Sequence, residues 1–141
     1  MVKQEHQIIA RNYELAGRAS SKLKRYLKEL NIDKHLMKRI CSASYEAEIN
    51  VVIHSVGGYV IFEFHDTYIE LNFYDDGPGI LDINLAMTEG YSTASENAQH
   101  NGFGAGMGLS NIKNCSDEMI LTSSIDGTHL KIIFFLGENH A

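Results

Sequence analysis

The chain has 141 residues, 44% of them hydrophobic, one proline and a net charge of −6. That is the length of about one domain, 1–141, able to bury roughly two thirds of its unfolded surface, and the composition excludes disordered and collagen-like chains. Charge is divided: residues 1–40 hold ten basic against four acidic residues, +6, and the remainder two against fourteen, −12. This argues against direct nucleic-acid binding by the body, and leaves the basic third either to meet an acidic protein or to solvate a helix face.

No apolar run approaches the ~18 residues of a membrane span. MVKQEHQ lacks the charged-then-apolar layout of a signal peptide, so no membrane contact is expected and the expected location is the cytoplasm. Cys41 and Cys115 match no CxxC spacing and read as free thiols. The seven histidines form no HxxxH or HExxH pair, so they suggest no metal centre.

Gln4 to Tyr13 alternates loosely around Ile8 and Ile9, which predicts a first strand. From Glu14 to Leu30 the residues Leu15, Ala19, Leu23, Tyr26, Leu27 and Leu30 recur at three and four, predicting an amphipathic helix with Lys and Arg on its other face. Asp33 is placed to cap a second helix, Lys34 to about Ser55, stopped by Gly57 and Gly58. On it Glu46, Asn50 and His54 fall at i, i+4 and i+8, hence on one face about 6 Å apart, with Glu48 pointing the opposite way. A surface Glu–Asn pair explains this blandly. The functional alternative is an Asn oxygen as a hard ligand for Mg²⁺, beside a carboxylate that orients or deprotonates a nucleophile.

Gly58–His65 and Tyr68–Tyr74 alternate as two strands of a hairpin through His65, Asp66 and Thr67. The second runs into Asp75-Asp76-Gly77-Pro78-Gly79-Ile80, either a plain turn or the strand-end carboxylate of a small-molecule pocket. Leu81–Met87 reads as a short helix. Thr88–Asn101 is polar and without period, the pattern of a lid or binding loop. It leads into NGFGAGMGLSNIKN, where Gly102, Gly104, Gly106 and Gly108 alternate before a helix starting near Gly106. Such a run exposes backbone amides to an anion at a helix start. The spacing fits neither the P-loop nor GxGxxG. Glu118–Ser123 and Thr128–Leu136 read as the last strands, around Ile125-Asp126-Gly127, and the tail GENHA reads as frayed.

Taken together, the Glu46/Asn50 helix, DDGPGI, the polar stretch, GFGAGMGL and the late Gly127-Thr128 resemble the GHKL ATPase superfamily, and within it the small anti-sigma-factor serine/threonine kinases. The likeness spans almost the whole chain. It implies a Bergerat, histidine-kinase-like ATPase fold: an α/β (α+β) two-layer sandwich whose mixed, largely antiparallel sheet is covered on one face by helices. It also implies ATP and Mg²⁺ as cofactors. Glu46 matches the general base and Asn50 the magnesium ligand. Asp75 matches the acceptor of the adenine amino group, with Gly77, Gly79 and Ile80 against the purine. Gly104, Ala105, Gly106, Met107, Gly108 and Leu109 match the lid hinge and phosphate-binding helix start. Thr128 matches the threonine that supports the aspartate through a water.

The expected activity is ATP-dependent phosphorylation of a serine or threonine on a small anti-sigma antagonist. The alternative is a nucleotide-gated module sequestering a sigma factor or other regulator, with the basic helix at Lys22–Lys28 as its docking face. The resemblance further implies a homodimer through the N-terminal strand or helix. At this length, the phospho-accepting helices of a sensor kinase and a transducer domain are not expected.

Overall fold

The computed structural model describes residues 1–76, 108–124 and 127–137, apart from the side chains of His54 and Ser124. Strand β1 (Val2–Ile8) is followed by helices α1 (Arg18–Glu29) and α2 (Lys34–His54), then by β2 (Gly58–Phe64) and β3 (Tyr68–Asp75). Helix α3 (Gly108–Cys115), β4 (Glu118–Ser124) and β5 (Gly127–Phe135) complete the described elements. The five strands form one sheet in the order β1-β2-β3-β5-β4. Every pairing is antiparallel, so among the described residues the expected mixed sheet contains no parallel pair.

Alternation decides which face of the sheet is covered. Val60, Phe62 and Phe64 of β2, Ile69, Leu71 and Phe73 of β3, and Leu130, Ile132 and Phe134 of β5 are all buried. They meet Leu23 and Leu27 of α1, Ile40, Ala43 and Ala47 of α2, and Leu109 and Ile112 of α3 in one core. Burying each large aliphatic or aromatic side chain contributes about 1.5–3 kcal/mol, so this layer dominates the stability. On the other face Tyr59 and Tyr74 stack, ring centroids 4.9 Å apart, and Tyr74 stacks on His129 at 4.4 Å. No described helix is long and apolar enough to cross a membrane.

Helix α2 has a firm start and stop. The Asp33 carboxylate accepts from the amides of His35 (3.0 Å) and Leu36 (3.1 Å), satisfying two of the donors that every helix start leaves open. At the far end Ser55 turns to extended backbone and its hydroxyl donates to the Val51 carbonyl at 2.7 Å. The glycine pair therefore follows the stop: Gly57 has φ 123°, and Gly58 opens β2.

Two boundaries differ from the sequence expectation. Strand β1 ends at Ile8, not Tyr13, because Ile9 is exposed and Arg11 adopts φ 62°, its amide donating to the Val52 carbonyl at 2.8 Å. Helix α1 begins at Arg18, not Glu14. Gly17 precedes it at φ 90°, a conformation glycine adopts without Cβ strain, and a Cβ there would lie 2.8 Å from the Tyr45 ring. Leu15 is consequently left outside the helix and 40% exposed.

Candidate functional site

Glu46 and Asn50 stand one turn apart on α2, both half-buried. Helix α3 starts directly on them. A Cβ added to Gly108 would lie 3.1 Å from both amide atoms of Asn50 and 3.4 Å from Oε2 of Glu46. Leu109 and Ile112, buried in the core, press α3 into this position. Residue 108 therefore lies so near the two polar side chains that a Cβ there would have to displace their ends by a few tenths of an ångström. Burial pushes the Glu46 carboxyl above its ordinary value, because desolvation disfavours the charged form.

Asp75 ends β3 on the helix-covered face of the sheet, two residues after buried Phe73. The register aligns Gly58, Asp75, Thr128 and Ser123 across four strands. The Thr128 amide donates to Oδ1 of Asp75 at 3.1 Å, so the contact is direct and made by backbone. The Thr128 hydroxyl is 3.1 Å from that of Ser123. Gly58 permits the close approach of β2 to this strand end. A Cβ there would overlap the Tyr74 carbonyl and lie 2.9 Å from Cα of Asp75, while Asp76 closes the corner by donating to the Gly57 carbonyl at 3.1 Å.

Gly77, Gly79, Ile80, Gly104, Ala105, Gly106 and Met107 lie outside the described residues, as do the short helix at 81–87 and the polar stretch 88–101. Of the remaining sequence-derived positions, α2 and the start of α3 bring together Glu46, Asn50 and Gly108, with Leu109 behind them. Adjacent strands bring together Asp75 and Thr128.

Sequence reasoning missed the role of Glu48. It is 3% exposed and accepts from the amides of Gly17 (2.9 Å), Ala19 (3.2 Å) and Ser20 (2.9 Å) and from the Ser20 hydroxyl (2.7 Å). The Ser20 hydroxyl also meets that of Ser44 at 2.7 Å. A carboxylate from α2 thus caps α1, where its negative charge suits the helix N-terminus. The signal was the missing local cap: Gly17 offers no side chain, and the first turn of α1 has no acid.

Compared by family, residues 20–138 match the histidine kinase-, DNA gyrase B- and HSP90-like ATPases. The chain belongs to this ATPase family. Among solved structures, this ATPase domain resembles the RsbU and RsbW domains of a Mycobacterium tuberculosis protein, with a TM-score of 0.65 and 16% identity. That likeness covers 95% of this chain and 32% of the other, so the chain spans about a third of that protein's length. It is also similar to the mycobacterial sensor histidine kinase MprB, with a TM-score of 0.54, 16% identity, and coverage of 95% of this chain and 97% of that one. At these identities the likeness is one of fold. Compared with curated proteins by sequence, the chain matches none.

Proposed function

We propose that this ATPase-family domain is a regulatory protein kinase that transfers the γ-phosphoryl group of ATP to a serine or threonine hydroxyl of a small partner protein. The observation that carries this reading is the seating of Gly108 on Asn50 and Glu46. The glycine leaves beside the start of α3 a space that a Cβ would fill, and helix starts favour phosphate.

The donor set fits ATP with magnesium. Asn50 supplies a hard carboxamide oxygen suited to an ion that keeps waters and binds phosphates. Asp75 supplies an acceptor for an adenine amino hydrogen, and the Thr128 amide holds that carboxylate in place. Magnesium, when bound, offsets phosphate charge during transfer. The partner hydroxyl oxygen forms its bond to the γ-phosphorus, the bond to the bridging oxygen breaks, and ADP leaves with the electron pair. Glu46 accepts the hydroxyl proton, and its raised pKa makes it a stronger base than an exposed carboxylate.

The test is transfer of radiolabel from ATP to a candidate partner, followed by acid treatment. An acid-stable label is expected, absent with Glu46→Gln although ADP still binds. Label surviving that substitution would refute Glu46 as base, and an acid-labile label would refute a hydroxyl acceptor. Nucleotide binding without any transfer would favour the gated binding module.

A further inference from the structure

A cavity of about 210 Å³ lies on the opposite side of α2 from Glu46 and Asn50. Ile9 and Leu15 of the β1–α1 connection, Arg18 and Lys22 of α1, and Glu48 and Val52 of α2 define its chemistry. Glu48 and Val52 share one face of α2, about 200° around the helix from the face that carries Glu46 and Asn50. None of these residues belongs to the proposed nucleotide site.

We propose that this cavity binds a small organic anion with a short aliphatic body, its carboxylate held by Arg18 and Lys22 and its chain lying against Ile9 and Leu15. Three observations support this. First, Arg18 and Lys22 are one helical turn apart, about 6 Å of rise. Among the described residues neither Arg18 nor Lys22 forms an ion pair, in contrast to Arg39, which pairs with Asp117. Glu48 also lines the cavity and keeps its negative charge, but its oxygens are already engaged by the Gly17, Ala19 and Ser20 amides and the Ser20 hydroxyl, so the wall carries two cations against one carboxylate. Because those amides are taken, the site rests on side chains and a cavity, not on the helix start.

Second, Ile9 is 57% and Leu15 40% exposed, large aliphatic side chains with free surface beside the cations, which an alkyl chain would cover. Third, His6 also lines the cavity, and its Nε2 is buried without a hydrogen-bond partner. Burial first and Lys22 second lower the pKa of this histidine, so at neutral pH the positive charge of the wall comes from Arg18 and Lys22. The volume lies below the roughly 300–1,000 Å³ of drug-sized pockets, and a guanidinium pairs bidentately with a carboxylate. A short-chain monocarboxylate meets both conditions.

The test is titration of the nucleotide-free protein with sodium hexanoate, followed through the amides of Ala19 and Lys22 and the ring of His6 by NMR. Saturable shifts are expected, with hexanol and inorganic phosphate each binding at least about tenfold more weakly, a difference of about 1.4 kcal/mol. The exposed-residue variants Arg18→Gln and Lys22→Gln should each weaken hexanoate while the rest of the spectrum stays folded. The proposal is overturned by the absence of saturable shifts, by unchanged binding in the Arg18→Gln/Lys22→Gln double variant, or by phosphate binding as tightly as hexanoate. Because this site is independent of the nucleotide reading, Asp75→Asn should leave hexanoate binding intact; its loss there would also count against a separate site.

Discussion

At the residue scale, Glu46 trades stability for basicity. Its folded pKa lies above the ordinary 4.5, chiefly through desolvation, so the folded state binds its proton more tightly than the unfolded state. Stability therefore falls as pH rises from the unfolded value through the folded one, and the cost of a buried charge is fully present above both. Glu46→Gln is expected to match or exceed the wild-type Tm at pH 7 while eliminating transfer. The advantage should vanish below pH 4.5, which melting curves across pH would reveal. Asp75→Asn acts in the opposite sense on binding. It removes the charge from the acceptor held by Thr128, and loss of a hydrogen bond to a charged group should lower ATP affinity about ten- to hundredfold by calorimetry.

Between elements, the sharpest dependence is the cap that α2 provides for α1. Glu48→Ala strands three amides in a buried setting, at about 1–3 kcal/mol for a buried unsatisfied group, while the Ser20 hydroxyl keeps Ser44. Urea unfolding should show a loss on the order of 3 kcal/mol, clearly larger than for Asp33→Ala, where a cap is worth about 0.5–2 kcal/mol. Gly58→Ala should disturb the β2–β3 edge and reduce nucleotide binding together, since the added Cβ meets the Tyr74 carbonyl and the Asp75 backbone. These elements differ in how far sequence revealed them. The alternation in β2, β3 and β5 and the Asp33 cap were legible because each depends on neighbours within a few residues. The start of α1 was not, because Leu15 continues the helical period across Gly17, whose conformation is coupled to the Tyr45 ring. Nor was the cap by Glu48, which pairs residues 28 to 31 positions apart. In the candidate site, the i, i+4 spacing of Glu46 and Asn50 could be read directly, whereas the seating of Gly108 on them depends on how α3 packs.

For the molecule as a whole, β5 lies between β3 and β4, although it is the last strand described. Its Leu130, Ile132 and Phe134 belong to the core, and its Thr128 meets Asp75. A chain truncated after Ser124 should therefore lack the native sheet signal in circular dichroism and fail to bind nucleotide. In the full chain, ATP with magnesium at a hundred times its Kd should add about 2.7 kcal/mol of stability by mass action, visible as a rise in Tm and as slower hydrogen exchange in α3. The two carboxylates of α2 also constrain how this chain can vary. Glu46 faces the start of α3 and Glu48 faces the start of α1, two residues and about 200° apart. Inserting a single residue just before Glu46 would turn both by about 100° relative to the preceding part of the helix, which is packed in the core. One frame-preserving but register-shifting change would thus uncap one helix and turn the proposed base away from the start of another, so α2 should tolerate substitutions far more readily than insertions or deletions.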